Sequence, residues 1–366
     1  MPSSIPIIDS HIHLFPETHL STLAWHSADN PLGSQYSVDQ YRIATCSTPT
    51  STSSSSESGF FLRGFIFIET DRLSSIEESS SPGWGYALDE VSFLVRVVCG
   101  EPLPGEGHSY EDKRLCLGIV PWAPVPAGAE TLERYMKLLE ERTGKDVFRR
   151  KVRGVRYLVQ DKPSGTMLRE GFVEGLKWLG KKGLVFDLGV DARSGGLWQL
   201  REAVKMMKRV YADVNEDEGV VIVINHLCKP NLRLPYTSRE SITSHHEFVE
   251  WESLITTMST HPKTYMKLSG GFSELSPLSF NIEPDIDSLV KRISPWTDAV
   301  FEAFGPERVM FGSDWPVCNI GGGGNEVSWQ RWKNVVEAVL ERRGLDEEQK
   351  RGVWGDVAVK AYGIGL

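Results

Sequence analysis

Cysteine is scarce in this 366-residue chain: Cys46, Cys99, Cys116, Cys228 and Cys318 are scattered, odd in number, and form no C-x-x-C pair. That excludes a disulfide framework or a zinc ribbon and points to a reducing compartment. Basic charge is also short. Forty Lys and Arg face 49 Asp and Glu, for a formal net charge of -9, so nothing suggests binding to nucleic acid or an anionic membrane. No run reaches the ~18 apolar residues of a membrane span. The opening MPSSIPIIDSH has neither a basic region nor a long apolar core, so no secretory signal is expected, and the cytoplasm is the expected location. No G-x-G-x-x-G follows the first apolar run, which leaves a doubly wound open sheet without support. GGGGN (321–325) lacks the G-K-S/T of a phosphate loop and reads as a flexible lid or turn.

What is present is a rhythm. Eight short apolar runs recur: PIIDSHIH, GFIFIET, RLCLGIVPW, VRGVRYL, LVFDLGV, VVIVINH, TYMKLSG and RVMFGSD. Seven or eight of them precede a segment with helical spacing. In LERYMKLLEERTG, for example, Leu132, Tyr135, Leu138 and Leu139 share one face and Gly144 marks a stop. Continuous β-rich runs alternating with amphipathic helices imply parallel strands, and eight such units imply an α/β fold of the (β/α)8 (TIM) barrel type. The whole chain, 1–366, is expected to form one such domain. Its excess length falls in loops at 44–58, 100–113, 231–245 and 271–285, and the tract STPTSTSSSSES near 47–58 is expected to be disordered.

Polar residues collect at the C-terminal ends of the runs: His11 and His13, Glu69, Arg156, Asp187, His226, Lys267 and Asp314. In a barrel these ends meet at one mouth, where barrel active sites lie. Period-two alternation places Asp9, His11 and His13 on one face of the first strand. Two imidazoles there are a pair of metal ligands or of donors to a substrate carbonyl, or else satisfied half-buried histidines. Asp314, before Trp315-Pro316, is a metal ligand or a general base, against a turn-capping role. His226 follows a buried run, with Asn225 expected on the opposite side, and competes with a core histidine bonded to a carbonyl. Lys229 reads equally as a substrate contact or a surface lysine. Arg156 and Gln160 offer the donors and acceptors that suit a polyhydroxylated or carboxylated small molecule, whereas Arg153, three residues from Arg156, faces the other side. Trp84, Trp122 and Trp315 are sugar-stacking candidates or plain core. Cys228 and Cys318 read as wall residues rather than nucleophiles.

IIDSHIHLF, VRGVRYLVQD, NHLCKP, KLSGGFSE, FEAFGPERVMFGSDWPVC and VWGDVAVKAYGI occur in this order, from about residue 5 to the C-terminus. Together they resemble the amidohydrolase-related sugar lactonases, in particular the L-fuconolactonase and L-rhamnonolactonase branch. The resemblance implies a hydrolase, a carboxylic ester hydrolase that adds water to the carbonyl of an aldonolactone. It implies Asp314 as general base, and His11, His13 and His226 as catalytic groups that hold a metal or polarise the carbonyl oxygen. Arg156 and Gln160 become substrate contacts, with Glu69, Trp84 and Lys229 as further candidates. The implied ligand set for one divalent ion, zinc in the first instance, is His11, His13, His226 and Asp314, with Glu69 either an extra ligand or a partner for Arg156. Metal-independent action is the alternative. The run VFDLGVD has Asp187 where metal-dependent relatives carry a histidine, and the fourth strand has no bridging Lys or Glu, which argues against a binuclear centre. A decarboxylase of a small aromatic acid and a non-catalytic sugar-acid-binding barrel are the competing functions. A small lactone is the expected partner. Oligomeric state is left open, a homodimer included, and Trp25, His26 and Tyr36 in the first loop read as pocket lining or interface.

Overall fold

A computed structural model describes residues 4–27, 29–46 and 59–365. The Ser-rich tract near 47–58, expected to be disordered, lies outside the described residues. The eight runs become eight parallel strands: β1 (Ile5–Ile12), β2 (Phe60–Ile68), β3 (Cys116–Val120), β4 (Gly154–Arg156), β5 (Val185–Leu188), β6 (Ile222–Ile224), β7 (Thr264–Leu268) and β8 (Val309–Phe311). A helix follows each: α1 (Val38–Thr45), α2 (Gly85–Cys99), α3 (Ala129–Thr143), α4 (Glu170–Lys181), α5 (Trp198–Tyr211), α6 (His246–Ser259), α7 (Ile286–Phe304) and α8 (Ser328–Arg342).

Strands pair in sequence order, β1 to β3 and β4 to β8. Parallel bridges Ile119–Val152 and Trp122–Arg156 join β3 to β4, and the bridge Ile12–Trp315 joins the two ends of the barrel. Backbone N–H groups of His13 and Asp314 donate across that seam to Trp315 and His11 carbonyls at 2.8 and 2.9 Å. The fold is therefore the (β/α)8 barrel that the alternation of runs implied. Ile8, Ile66, Ile68, Leu117, Val120, Val185, Val223, Tyr265 and Met310 fill the barrel interior, and Val357, Ala358, Ala361 and Tyr362 of the C-terminal helix pack onto them. The larger apolar layer lies between sheet and helices, where Leu132, Tyr135 and Leu139 of α3 sit as their spacing predicts. Among the described residues, no helix is long and apolar enough to cross a membrane.

Two loops expected from the sequence take definite form. The insertion 100–113 is tied down: Glu106 pairs with Arg96, and Ser37 Oγ donates to the Glu106 carbonyl at 2.6 Å. GGGGN is a packed turn rather than a lid. A side chain at Gly321 would stand 1.9 Å from the Phe272 carbonyl, and Asn325 accepts from Trp315 Nε1 at 2.8 Å.

Candidate active site

Strict alternation fails on β1, and the failure builds the site. Its register slips between Asp9 and Ile12. Ile8 faces the barrel interior, yet the next inward side chain is His11, three residues on, so a bulge has added one residue. Asp9 consequently does not share the face of His11 and His13. It points toward the helices and accepts from Tyr41 OH (3.0 Å), Ser313 N (2.8 Å), Ser313 Oγ (2.6 Å) and Trp329 Nε1 (2.8 Å). Those bonds tie β1 to Ser313, the residue next to Asp314.

His11, His13, His226 and Asp314 come together at the floor of the mouth. The Nε2 atoms of all three histidines lie 3.6 Å from Asp314 Oδ1, and His11 and His13 Nε2 are 3.2 Å apart. The first value is too long for a hydrogen bond. Both are close to the roughly 3.4 Å that separates two ligands held about 2.0–2.1 Å from one tetrahedral ion. His11, His13 and Asp314 have ligand atoms all within 4.8 Å of one another, and Asp314 Oδ2 is buried with no hydrogen-bond partner. In number and spacing this donor set fits one small divalent ion, with His226 beside the tight triplet. Glu69 does not belong to it. Its Oε1 accepts from Arg156 Nε and its Oε2 from the Asp71 N–H, both at 2.5 Å, so of its two readings the structure selects the partner of Arg156.

Electrostatics bear on the charge of Asp314, His226 and His11. Burial pushes His226 down to about 3, although Asp314 pulls the other way. Burial, then the charge of Lys267, holds His11 well below the usual imidazole range. Burial alone would raise Asp314, but His226 and His13 outweigh it and hold the carboxyl below its ordinary value. Asp314 is thus an ionised carboxylate at neutral pH, beside His11 and His226 whose imidazoles hold protons weakly. Behind it, Lys267 on β7 pairs with Asp187 on β5 at 2.9 Å. Burial lowers this amine to about 8 despite Asp187.

A cavity of about 260 Å³ opens above this floor. Arg156, Gln160 and Lys229 line it, and Lys229 Nζ donates to Gln160 Oε1 at 3.1 Å. Trp25 also lines the cavity, which resolves its first-loop reading in favour of the pocket. Trp84 is not brought to the site: it is 3% exposed and packs edge-on against Tyr135 between α2 and α3. Trp122 and Trp315 are likewise core. Arg153 reaches the Gly363 carbonyl at 3.0 Å, far from the mouth. Burial raises the thiols of Cys228 and Cys318, so both stay protonated.

Sequence reasoning missed Asn30 and Asp71 in the cavity wall and placed Asn225 on the wrong side. Asp71 had a signal: it ends the run two residues after Glu69. Burial, then Glu69, lifts its carboxyl to about 6. Asn225 keeps the inward face of Val223, two residues before it, and it is His226 that departs from alternation, because NHLCK leaves the strand in an unusual way. His226, Leu227, Cys228 and Lys229 take φ of 53, 53, 61 and 46°, four left-handed residues in a row with no glycine. Asp71 and Asp314 are also left-handed, at 55 and 61°. Each such residue costs of order 1 kcal/mol or more, and such strain collects at functional sites.

Gly270 holds the other side of His226. A Cβ there would stand 2.7 Å from His226 Nδ1, and the residue's φ is 67°. Gly270→Ala is expected to displace the imidazole and reduce turnover at least about 10-fold, as misplacement of reacting groups by an ångström does. Steady-state kinetics with a thermal melt check this; wild-type kcat would show that the ring tolerates the shift.

A (β/α)8 barrel with a His-His-His-Asp cluster in its mouth is the class that fold and site define. The chain belongs to the amidohydrolase family, whose profile matches residues 117–364. It is 36% identical over 99% of its length to the whole of an L-rhamnono-gamma-lactonase from Scheffersomyces stipitis. Over 75% of this chain and 77% of the relative, it is 25% identical to an L-fucono-1,5-lactonase from Burkholderia multivorans. An amidohydrolase from Burkholderia multivorans, crystallised with bound zinc, superposes with a TM-score of 0.67 over 98% of this chain and 99% of that one, at 23% identity, and shares the fold.

Proposed function

We propose that this chain, acting as one barrel unit, is a hydrolase that opens the ring ester of a sugar-acid lactone of the L-rhamnono- or L-fucono-lactone kind. The observation that carries this reading is the convergence of three imidazole Nε2 atoms on Asp314 Oδ1 at 3.6 Å, beneath a small polar cavity. In the proposed reaction Asp314 takes a proton from a water as that water attacks the lactone carbonyl carbon. The C=O pair moves onto oxygen beside the imidazoles, where fixed dipoles stabilise the developing charge. The adduct collapses, the ring C–O bond breaks, and the proton passes from Asp314 to the leaving alkoxide. The product is an open-chain hydroxy acid, which ionises. A divalent ion, zinc in the first instance, held by His11, His13 and Asp314 with His226 adjacent, would supply Lewis-acid polarisation of that carbonyl.

The charge of the wall supports a neutral substrate. Two cationic side chains, Arg156 and Lys229, stand among three acidic ones, Asp71, Asp161 and Asp314, and Arg156 is already neutralised by Glu69. There is no cationic surplus for a dicarboxylate. Asp71, Asn30, Gln160 and Lys229 are suited to hydroxyl groups, and Trp25 to the apolar face of a sugar ring.

The test is a pH-indicator assay on purified protein with L-rhamnono-, L-fucono- and D-galactono-lactones, with metal content measured on the same sample. Expected is one proton released per lactone opened, well above the spontaneous rate on at least one deoxysugar lactone. No acceleration on any of them would overturn the reading.

A further inference from the structure

Whether His11 gives a proton to the site or offers a lone pair is decided behind the site, by Lys267. This residue is fully buried on β7. Its Nζ donates to Asp187 Oδ2 at 2.9 Å and lies 3.1 Å from His11 Nδ1. Asp187 also accepts from Asn225 Nδ2 at 2.6 Å and Tyr362 OH at 2.5 Å, so its carboxylate is anchored from two sides. An ammonium paired to a carboxylate has donors only. Its contact with His11 therefore requires a lone pair on Nδ1, and a neutral His11 then carries its single proton on Nε2, facing the cluster.

His13 is arranged the opposite way. Its Nδ1 lies 2.9 Å from the Ile68 carbonyl, which only accepts, so Nδ1 bears the proton and Nε2 the lone pair. His226 is uncommitted, because Ser269 Oγ, 2.8 Å from its Nδ1, can donate or accept. The 3.2 Å between His11 and His13 Nε2 is then a donor facing an acceptor. A histidine that ligates a metal through Nε2 normally hands its Nδ1–H to an acceptor behind it. His13 has that acceptor. His11 has a cation in its place.

We propose that Lys267, held by Asp187, is a positioning residue that fixes His11 as the Nε2–H tautomer. His11 thereby presents an N–H rather than a lone pair to the cluster, and the His11–His13–Asp314 triplet is weakened as a divalent-ion site although its spacing suits one. Neither the tautomer nor the weakened ion site rests on the lactonase reading above.

Two measurements test this without substrate. In the first, the full chain is labelled with 15N-histidine, stripped with a chelator, and examined by long-range 1H–15N correlation at neutral pH, with His11 assigned by its loss in His11→Asn. The expected pattern is Nε2–H for His11 and Nδ1–H for His13. An Nδ1–H His11 would overturn the proposal, and because it is read on the wild-type chain it does not depend on any variant folding. In the second, Lys267→Gln removes the cation behind His11, and with it the need for a lone pair on His11 Nδ1, leaving a shorter neutral amide in its place. Zinc affinity, measured by competition with a fluorescent chelator, is expected to tighten at least about 10-fold, the scale on which partners behind a ligand act. Unchanged or weaker zinc binding by a folded Lys267→Gln would also overturn it. Silence on the lactone panel with both expected results in hand would remove the lactonase reading and leave the Lys267 device standing.

Discussion

Asp314→Asn is expected to lower kcat on the lactone by about 10³-fold while leaving the fold intact, since a positioned general base is worth roughly 10²–10⁴. Asparagine is the informative replacement. It is nearly isosteric, and it tolerates the left-handed backbone that Asp314 adopts at φ 61°, where alanine would be strained. The Asp314 N–H to His11 carbonyl bond, part of the barrel seam, is kept. What is lost is the carboxylate that the neighbouring imidazoles hold ionised despite its burial. Because its neighbours hold this carboxyl below its ordinary value, the ionised form adds stability at neutral pH, so the unfolding midpoint should be unchanged or slightly lowered. The check is initial rates by proton release beside a thermal melt. A folded variant within a few-fold of wild-type turnover would remove Asp314 as the base.

Asp9→Ala should act on stability first. Five donors converge on this carboxylate: the Tyr41 and Ser313 hydroxyls, the Ser313 N–H, the Trp329 indole N–H and, at 3.4 Å, the His11 N–H. All are buried, so truncation strands them together; at about 1–3 kcal/mol for each unsatisfied group, partly relieved by relaxation, a loss of about 3–5 kcal/mol is expected. Because Asp9 fastens the β1 bulge to the residue preceding Asp314, turnover should also fall in the fraction that stays folded. Denaturant unfolding followed by tryptophan fluorescence measures the first effect and active-site-normalised rates the second. A loss below about 1 kcal/mol would mean that water replaces the carboxylate and that the network is not what sets the bulge.

The architecture was legible because it depends on composition repeated along the chain. Each of the eight apolar runs overlaps one observed strand, β1 and β2 beginning before theirs, and helices with a single apolar face had only one way to cover a closed parallel sheet. The polar ends of those runs were legible for the same reason: barrel connectivity brings every strand's C-terminal end to one mouth, so His11, His13, His226 and Asp314 meet although some 300 residues separate the first from the last.

Direction was another matter. Alternation assumes a regular strand, and the two places where it failed are backbone irregularities set by contacts distant in sequence. The β1 bulge turns Asp9 outward to Tyr41, Ser313 and Trp329, and the left-handed turn at 226–229 brings His226 into the mouth beside Asn225, which keeps the inward face of Val223 and donates to Asp187. Trp84 failed differently, since nothing in a local pattern distinguishes an indole packed on Tyr135 from one that faces a sugar. The sequence by itself determined the barrel and the meeting of His11, His13, His226 and Asp314 in its mouth, because hydrophobic periodicity and strand order suffice for both. Only the tertiary structure decided which atoms of those groups face one another, and with them the His11–Lys267–Asp187 chain, because side-chain direction and proton placement depend on partners brought together by folding.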